Sequence, residues 1–287
     1  MFNGIGRAMF HASKYVRCSL ALAASISAAH ASEAEPSSVS FFAGQKFWFA
    51  NFEANAIDVQ TVIPPGSATP VLRTSLARYH TSDTHSITTL GARMGAFSVF
   101  GSVMPTVKSV AGSGLVGGTL SRAERDLGVS YAIGSGLSVS FIWRTGKVSP
   151  LVTPATGAAL NIRGEQTVTG YLLGVSGSAP LDDRLALYGN LGYGPLRSKS
   201  TEVLGPLTRN KGSYTLGEFG LAYRLLEPSE ARWLSSVSLQ LGYRIQIVAY
   251  DDIELPTLRL DGTPLSVERT NARPLTQGMA LGLSASF

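Results

Sequence analysis

The stretch Ser236-Val-Ser-Leu-Gln-Leu-Gly-Tyr-Arg-Ile-Gln-Ile247 alternates without a break. Val237, Leu239, Leu241, Tyr243, Ile245 and Ile247 take one parity. Ser236, Ser238, Gln240, Gly242, Arg244 and Gln246 take the other. A period of two is the side-chain period of a β-strand, so this stretch predicts a strand with one apolar and one polar face. Its 12 residues exceed the ~5–6 of an ordinary strand. They meet the ~9–11 that a tilted strand needs to cross a bilayer.

The pattern recurs along the chain. Leu127, Val129, Tyr131 and Ile133 oppose Asp126, Gly128, Ser130 and Ala132. Leu137, Val139, Phe141 and Trp143 oppose Ser138, Ser140 and Arg144. Phe219, Leu221, Tyr223 and Leu225 oppose Glu218, Gly220, Ala222 and Arg224. Met279, Leu281, Leu283, Ala285 and Phe287 oppose Gly278, Ala280, Gly282, Ser284 and Ser286. Ten strands are predicted, near 43–54, 69–80, 86–104, 122–133, 137–147, 164–178, 184–198, 212–225, 234–249 and 275–287. The third shows apolar residues on both faces at Phe97 and Val99. Short connections at 81–85, 134–136, 179–183 and 226–233 alternate with longer ones at 55–68, 105–121, 148–163, 199–211 and 250–274. Short turns at one end and long loops at the other mark an up-and-down barrel of an outer membrane. The predicted fold class is therefore all-β: a closed antiparallel up-and-down transmembrane β-barrel of about 10 strands, within a range of about 8–12. An even number puts both termini at the short-turn, periplasmic end.

Parity alone does not separate a membrane barrel from a soluble one. Three features do. The polar face is rich in Gly and Ser, which make no packed apolar core but suit a narrow barrel interior crossed by a few long side chains. Arg93, Arg144, Glu218, Arg224 and Arg244 are predicted to face that lumen, with Asp126, Asn190, Gln240 and Gln246 as partners. Aromatics gather near strand ends on the apolar face: Tyr131, Tyr223 and Trp233 by the short turns, Trp143, Tyr193 and Tyr250 by the long loops. This is the placement of two interfacial girdles. The strands are also long enough to span.

Composition agrees. The chain has 287 residues, 15% charged, with 31 glycines and a net charge of +5. A disordered chain would be poorer in apolar residues and richer in charge. No run of about 18 apolar residues predicts a spanning helix. Residues 1–31 read as a cleaved secretory signal peptide. Arg7, Lys14 and Arg17 are its basic region, 18–29 its apolar core and Ala29-His30-Ala31 its cleavage site. The second unit, 32–287, is the barrel domain. Cleavage removes Cys18, the single cysteine, and leaves 21 basic against 19 acidic residues, a net of +2. That spread-out charge makes no basic stripe, so no nucleic-acid partner is predicted.

The last residues add a resemblance. Gly282, Ala285 and Phe287 are similar to the C-terminal assembly signal of bacterial outer-membrane β-barrel proteins, which ends in an aromatic with an apolar residue two before it and a Gly five before it. Ala280 departs from that pattern, which expects a polar residue there. The resemblance implies recognition by the barrel-assembly machinery. It also implies residence in the outer membrane of a Gram-negative bacterium, with outer-membrane lipid and lipopolysaccharide as surroundings. Arg197, Lys199, Arg209 and Lys211 cluster by the fourth long loop, where lipopolysaccharide phosphates are a candidate contact.

Catalytic chemistry is sparse in the sequence. Barrels of this class include omptin proteases and lipid-modifying enzymes, which use a histidine. Here His80 and His85 flank the predicted turn at 81–85, away from the acidic rim residues Asp251, Asp252 and Glu254. Gly174-Val-Ser-Gly-Ser lacks the last glycine of a nucleophile elbow. Paired zinc ligands are missing from the mature chain, and no cofactor or metal is predicted. The expectation is a non-enzymatic outer-membrane barrel with a narrow polar lumen, serving as a structural or surface-interacting protein or a narrow solute pore. The alternatives are a rim enzyme acting on lipid or peptide and a soluble secreted ligand-binding barrel.

Overall fold

The computed structural model describes residues 39–113, 116–134, 136–154, 162–163, 165–201, 208–226 and 234–287. The predicted signal peptide with Cys18, and Trp233 of the predicted girdle, lie outside them. The strands are β1 (Val39–Val62), β2 (Val71–Met94), β3 (Phe97–Ser113), β4 (Val116–Gly134), β5 (Leu137–Pro154), β6 (Ile162–Arg163), β7 (Glu165–Pro180), β8 (Leu185–Thr201), β9 (Thr208–Leu226), β10 (Ser236–Arg259), β11 (Pro264–Ala272) and β12 (Leu275–Ser286). Each pairs antiparallel with its neighbour in the wall, and β12 bridges β10 and β1. β11 and β12 together form the return strand of β10, and β6 is a short attachment to β5. The result is a closed antiparallel barrel of ten strands. In lipid, closure satisfies the wall's backbone groups internally.

One predicted turn is absent. β1 pairs with β2 without interruption from Val39↔Met94 to Val62↔Val71, straight through 81–85. Thr81-Ser82-Asp83-Thr84 carries turn-forming residues, but their side chains are used between strands instead. Ser82 Oγ donates to Asn51 Oδ1 at 2.7 Å, and Ser109 Oγ donates to Asp83 Oδ2 at 2.6 Å. The chain reverses at Gly95-Ala96, between the paired Met94 and Phe97. Gly95 has φ 58°. A two-residue hairpin with positive φ at its first central position is of the II′ kind and favours glycine there. This reversal also explains Phe97 and Val99. The parity restarts after it, and both side chains face outward.

The two faces of the wall are sorted as alternation requires. Phe47, Phe49, Leu90, Phe141, Leu191 and Phe219 are among the many large apolar side chains on the outer face, with Leu173 71% exposed. The inner face carries Lys46, Arg122, Arg144, Glu218 and Arg244 and many of the glycines, Gly91 and Gly128 among them. A Cβ on Gly91 would meet the Phe42 ring at 2.3 Å, and one on Gly128 the Phe100 ring at 2.4 Å. The glycines thus make room for inward aromatic rings.

Much of the predicted long-loop region is strand. β1, β2 and β10 each have 24 residues, against the ~9–11 needed to span. Beyond the apolar band the chain keeps its backbone pairing but has no lipid face to mark it. The two longest hairpins lean together over the mouth. Thr257–Arg259 of β10 pair with Val71–Arg73 of β2, and Thr74 Oγ1 donates to Pro256 O at 2.7 Å. These contacts form because β2 pairs with β3 only over Thr88–Met94 and β10 leaves β9 after Asp251. A bulge between Tyr250 and Ile253, with Asp252 at φ 55°, redirects β10 there.

Candidate functional site

The candidate site is the lumen, which has three layers. Beneath the long hairpins lies an apolar cluster of Val168, Leu172, Leu196, Tyr214, Leu216, Tyr250, Ile253, Leu255 and Ala272. Tyr250 is buried here, not on the outer girdle as expected. It shares the even parity of Arg244 and Gln246 on β10, and the bulge follows it. Beyond that bulge the odd residues Ile253 and Leu255 turn inward instead.

The middle layer is ionic. Arg144 grips Asp126 with two donors, Nε to Oδ1 at 2.6 Å and Nη2 to Oδ2, and also donates to Tyr214 Oη. Arg122 Nε donates to Glu124 Oε1 at 3.1 Å and its Nη1 to Thr276 Oγ1 at 3.0 Å. Gln246 Nε2 donates to the same Glu124 oxygen at 2.7 Å. Across the lumen, Glu218 accepts from Lys46 Nζ, from Tyr188 Oη at 2.9 Å and from Arg244 Nη1 at 3.1 Å. Trp48 joins the two groups, with the Arg244 guanidinium 5.1 Å and the Arg122 guanidinium 5.8 Å from its ring. Buried charges persist in such a site only when paired and hydrogen-bonded. Trp48 and Gln246 are 0% exposed, so side chains fill the lumen around them.

The third layer is a cavity of about 220 Å³ at the short-turn end. Leu216, part of the apolar cluster, also lines this cavity, as does Ala96 of the β2–β3 turn. The cavity therefore runs from beside the apolar cluster, past the ionic layer, to the turns.

The predicted lumen residues occupy these layers as follows. Asp126, Arg144, Glu218 and Arg244 make the ion pairs, and Gln240 Nε2 donates to Ser284 Oγ at 3.2 Å. Arg93 lines the cavity, and its Nε donates to Gly95 O at 2.8 Å. Arg224 stands near the turns, its backbone amide donating to Arg184 O at 2.7 Å. Lys46, Arg122, Glu124, Tyr188 and Tyr214 were not singled out from the sequence. Arg122 and Glu124 share the parity of Asp126, a signal that could have found them. Tyr131, Trp143, Tyr193 and Tyr223 are exposed on the outer face, joined there by Tyr171, which stacks on Phe141 at 5.8 Å. At the seam, Phe287 N donates to Phe41 O at 2.8 Å and Phe41 N to Phe287 O at 3.2 Å. Ala285 is buried, and Gly282 lies close to Gln240 and Lys46.

The histidines do not flank a turn. Both lie on β2, because the strand runs through 81–85. His85 points inward and is 1% exposed, its ring 5.7 Å from Trp48. His80 is on the outer face opposite Glu53, nearer the long-hairpin end than expected. Asp251 and Asp252 are exposed at the mouth, and Glu254 pairs with Arg269 at 3.1 Å. Among the described residues no group of three His, Cys, Asp or Glu side chains is placed to hold a metal ion.

No family model matches the chain, and no curated protein matches it. Solved structures do. The outer membrane protease OmpT from Escherichia coli aligns with a TM-score of 0.56 at 10% identity, over 86% of this chain and 97% of that one. The translocator domain of the autotransporter NalP from Neisseria meningitidis aligns at 0.43 and 12% identity, over 87% and 88%. The Pseudomonas putida toluene transporter TodX aligns at 0.32 and 9% identity, over 88% and 90%. At such identity the likeness to OmpT is one of fold. The chain has the closed-barrel fold of bacterial outer-membrane β-barrel proteins.

Proposed function

We propose that this protein is a non-enzymatic, integral outer-membrane barrel with a closed lumen, a scaffold that carries long hairpins on the outside of the cell. The observation that carries this is the filled interior. An apolar cluster and two ion-pair groups occupy the lumen in series, and fully buried side chains stand across it. A barrel of this width has no need of a channel, since open aqueous pores belong to ~16–18 strands. The outward apolar band, the predicted signal peptide and the C-terminal Phe287 support placement in the outer membrane, with the short turns in the periplasm.

Planar-bilayer recording of the purified barrel tests this. The expected result is no steady conductance. Ohmic conductance that changes with Arg244→Ala would overturn the closed-lumen scaffold and favour a narrow pore.

An enzyme at the outer rim would need a general base there. His85 is buried below the rim and His80 stands on the outer wall. Assays of protease, phospholipase and deacylase activity are expected to be blank. Activity abolished by Asp251→Ala or His85→Ala would overturn the non-enzymatic reading.

A further inference from the structure

The cavity at the short-turn end has a chemical bias that a scaffold does not need. Lys46, Arg144 and Arg244 line it with two carboxylates, Asp126 and Glu218, and Arg93 lines it with its Nε bonded to Gly95 O. Those carboxylates are already engaged. Asp126 accepts from Arg144 on both oxygens and from Ser102 Oγ at 3.1 Å. Glu218 accepts from Lys46, Tyr188 and Arg244. On the donor side, Arg244 is 9% exposed and its Nε is buried with no acceptor. A buried donor without a partner is destabilising, the more so when charged. Lys46 and Arg244 share the single carboxylate of Glu218, so this part of the lining is one negative charge short. The rest of the wall alternates serine hydroxyls with apolar groups, among them Phe42, Ile87, Phe100 and Ile142. The volume of about 220 Å³ exceeds the ~150 Å³ of a cavity known to take benzene.

We infer that this cavity binds a small organic anion, an apolar body the size of one ring bearing a single carboxylate or phosphate. The anionic end meets Arg244 beside the Lys46–Glu218 pair, and the ring lies between the apolar walls. The closed end is the Leu216 side, so the ligand enters between the short turns. In the orientation proposed above, that is from the periplasm. The closed lumen prevents passage, so the site is one of binding and not of transport.

The test uses the full barrel in detergent and isothermal titration with benzoate, with benzyl alcohol as the neutral comparator and phenyl phosphate as the second anion. Saturable one-to-one binding of benzoate, about tenfold tighter than benzyl alcohol, is expected. Arg244→Lys keeps a cation for Glu218 but removes Nε, and is expected to weaken benzoate by about tenfold while the barrel stays heat-modifiable. Ser140→Phe fills the cavity and is expected to abolish binding. Saturable binding by neither benzoate nor phenyl phosphate, or binding of both no tighter than that of benzyl alcohol, would overturn the inference. So would unchanged binding in Ser140→Phe. Phenyl phosphate binding in place of benzoate assigns the anion as phosphate. The result is independent of bilayer conductance, so failure here leaves the scaffold reading standing.

Discussion

Glu218 is the residue on which the middle of the barrel turns. It is almost fully buried and accepts from two cations and a tyrosine. Removing its carboxylate leaves Lys46 and Arg244 as buried charges without a counter-ion, a loss of about 3–5 kcal/mol. Glu218→Ala is therefore expected to lower the denaturation midpoint sharply in lipid vesicles. Glu165→Ala, which breaks the exposed pair with Lys147 at 2.8 Å, is expected to change it by at most about 1 kcal/mol. Equal midpoints for the two variants would mean that the ionic layer does not hold the lumen together. Glu218 was legible because it falls on the polar parity beside Phe219. Lys46 was not, because Phe47, Trp48 and Phe49 are apolar on both parities and hide which way the strand faces. The structure shows Phe47 and Phe49 outward and Trp48 fully buried within.

Among the elements, the β2–β3 hairpin shows how turn chemistry can mislead. Thr81-Ser82-Asp83-Thr84 looks like a turn but lies in a paired strand, whereas the single Gly95 makes the actual reversal. An alanine held at that left-handed position costs about 1–2 kcal/mol. Gly95→Ala is thus expected to destabilise the barrel by that amount, and Ser82→Ala to have little effect. A larger loss from Ser82→Ala would restore the turn at 81–85. On the β8–β9 pair, Arg197 sits directly opposite Lys211 and Lys199 opposite Arg209. Like charges placed so are destabilising by about 0.2–1 kcal/mol. Arg197, Lys199 and Lys211 are exposed, with Tyr193 four residues before Arg197 on the same outer face. A phosphorylated glycolipid headgroup above the aromatic girdle would reverse the sign of that repulsion. Arg197→Glu is expected to stabilise the barrel in neutral detergent but to weaken its retention of bisphosphorylated lipid A. The same change in both media would remove lipopolysaccharide as a partner of this patch.

For the whole molecule, the closed ten-strand wall was readable because each spanning strand carries its own two-faced pattern. The closure over the mouth was not. The β2–β10 contact joins Val71–Arg73 to Thr257–Arg259, 184 to 188 residues apart in the chain, and involves residues with no lipid face to set their parity. Pairing at such separation leaves no periodic trace in either segment. The wall itself closes between the first and last described strands, where β12 runs against β1 from Phe42↔Ser286 to Phe52↔Thr276. Phe287 extends that seam by two backbone hydrogen bonds with Phe41, and it is the residue the assembly-signal resemblance singles out. Deletion of Phe287 removes both bonds and the terminal aromatic. If the residue serves only the seam, the loss is the roughly 1–3 kcal/mol of two backbone hydrogen bonds, and barrel refolded from urea into detergent shows a lower midpoint but normal yield. If it also directs assembly, the same variant refolds in the tube yet fails to reach a heat-modifiable form in cells. The second pattern is expected. Normal amounts of heat-modifiable barrel in cells lacking Phe287 would confine the residue to the seam.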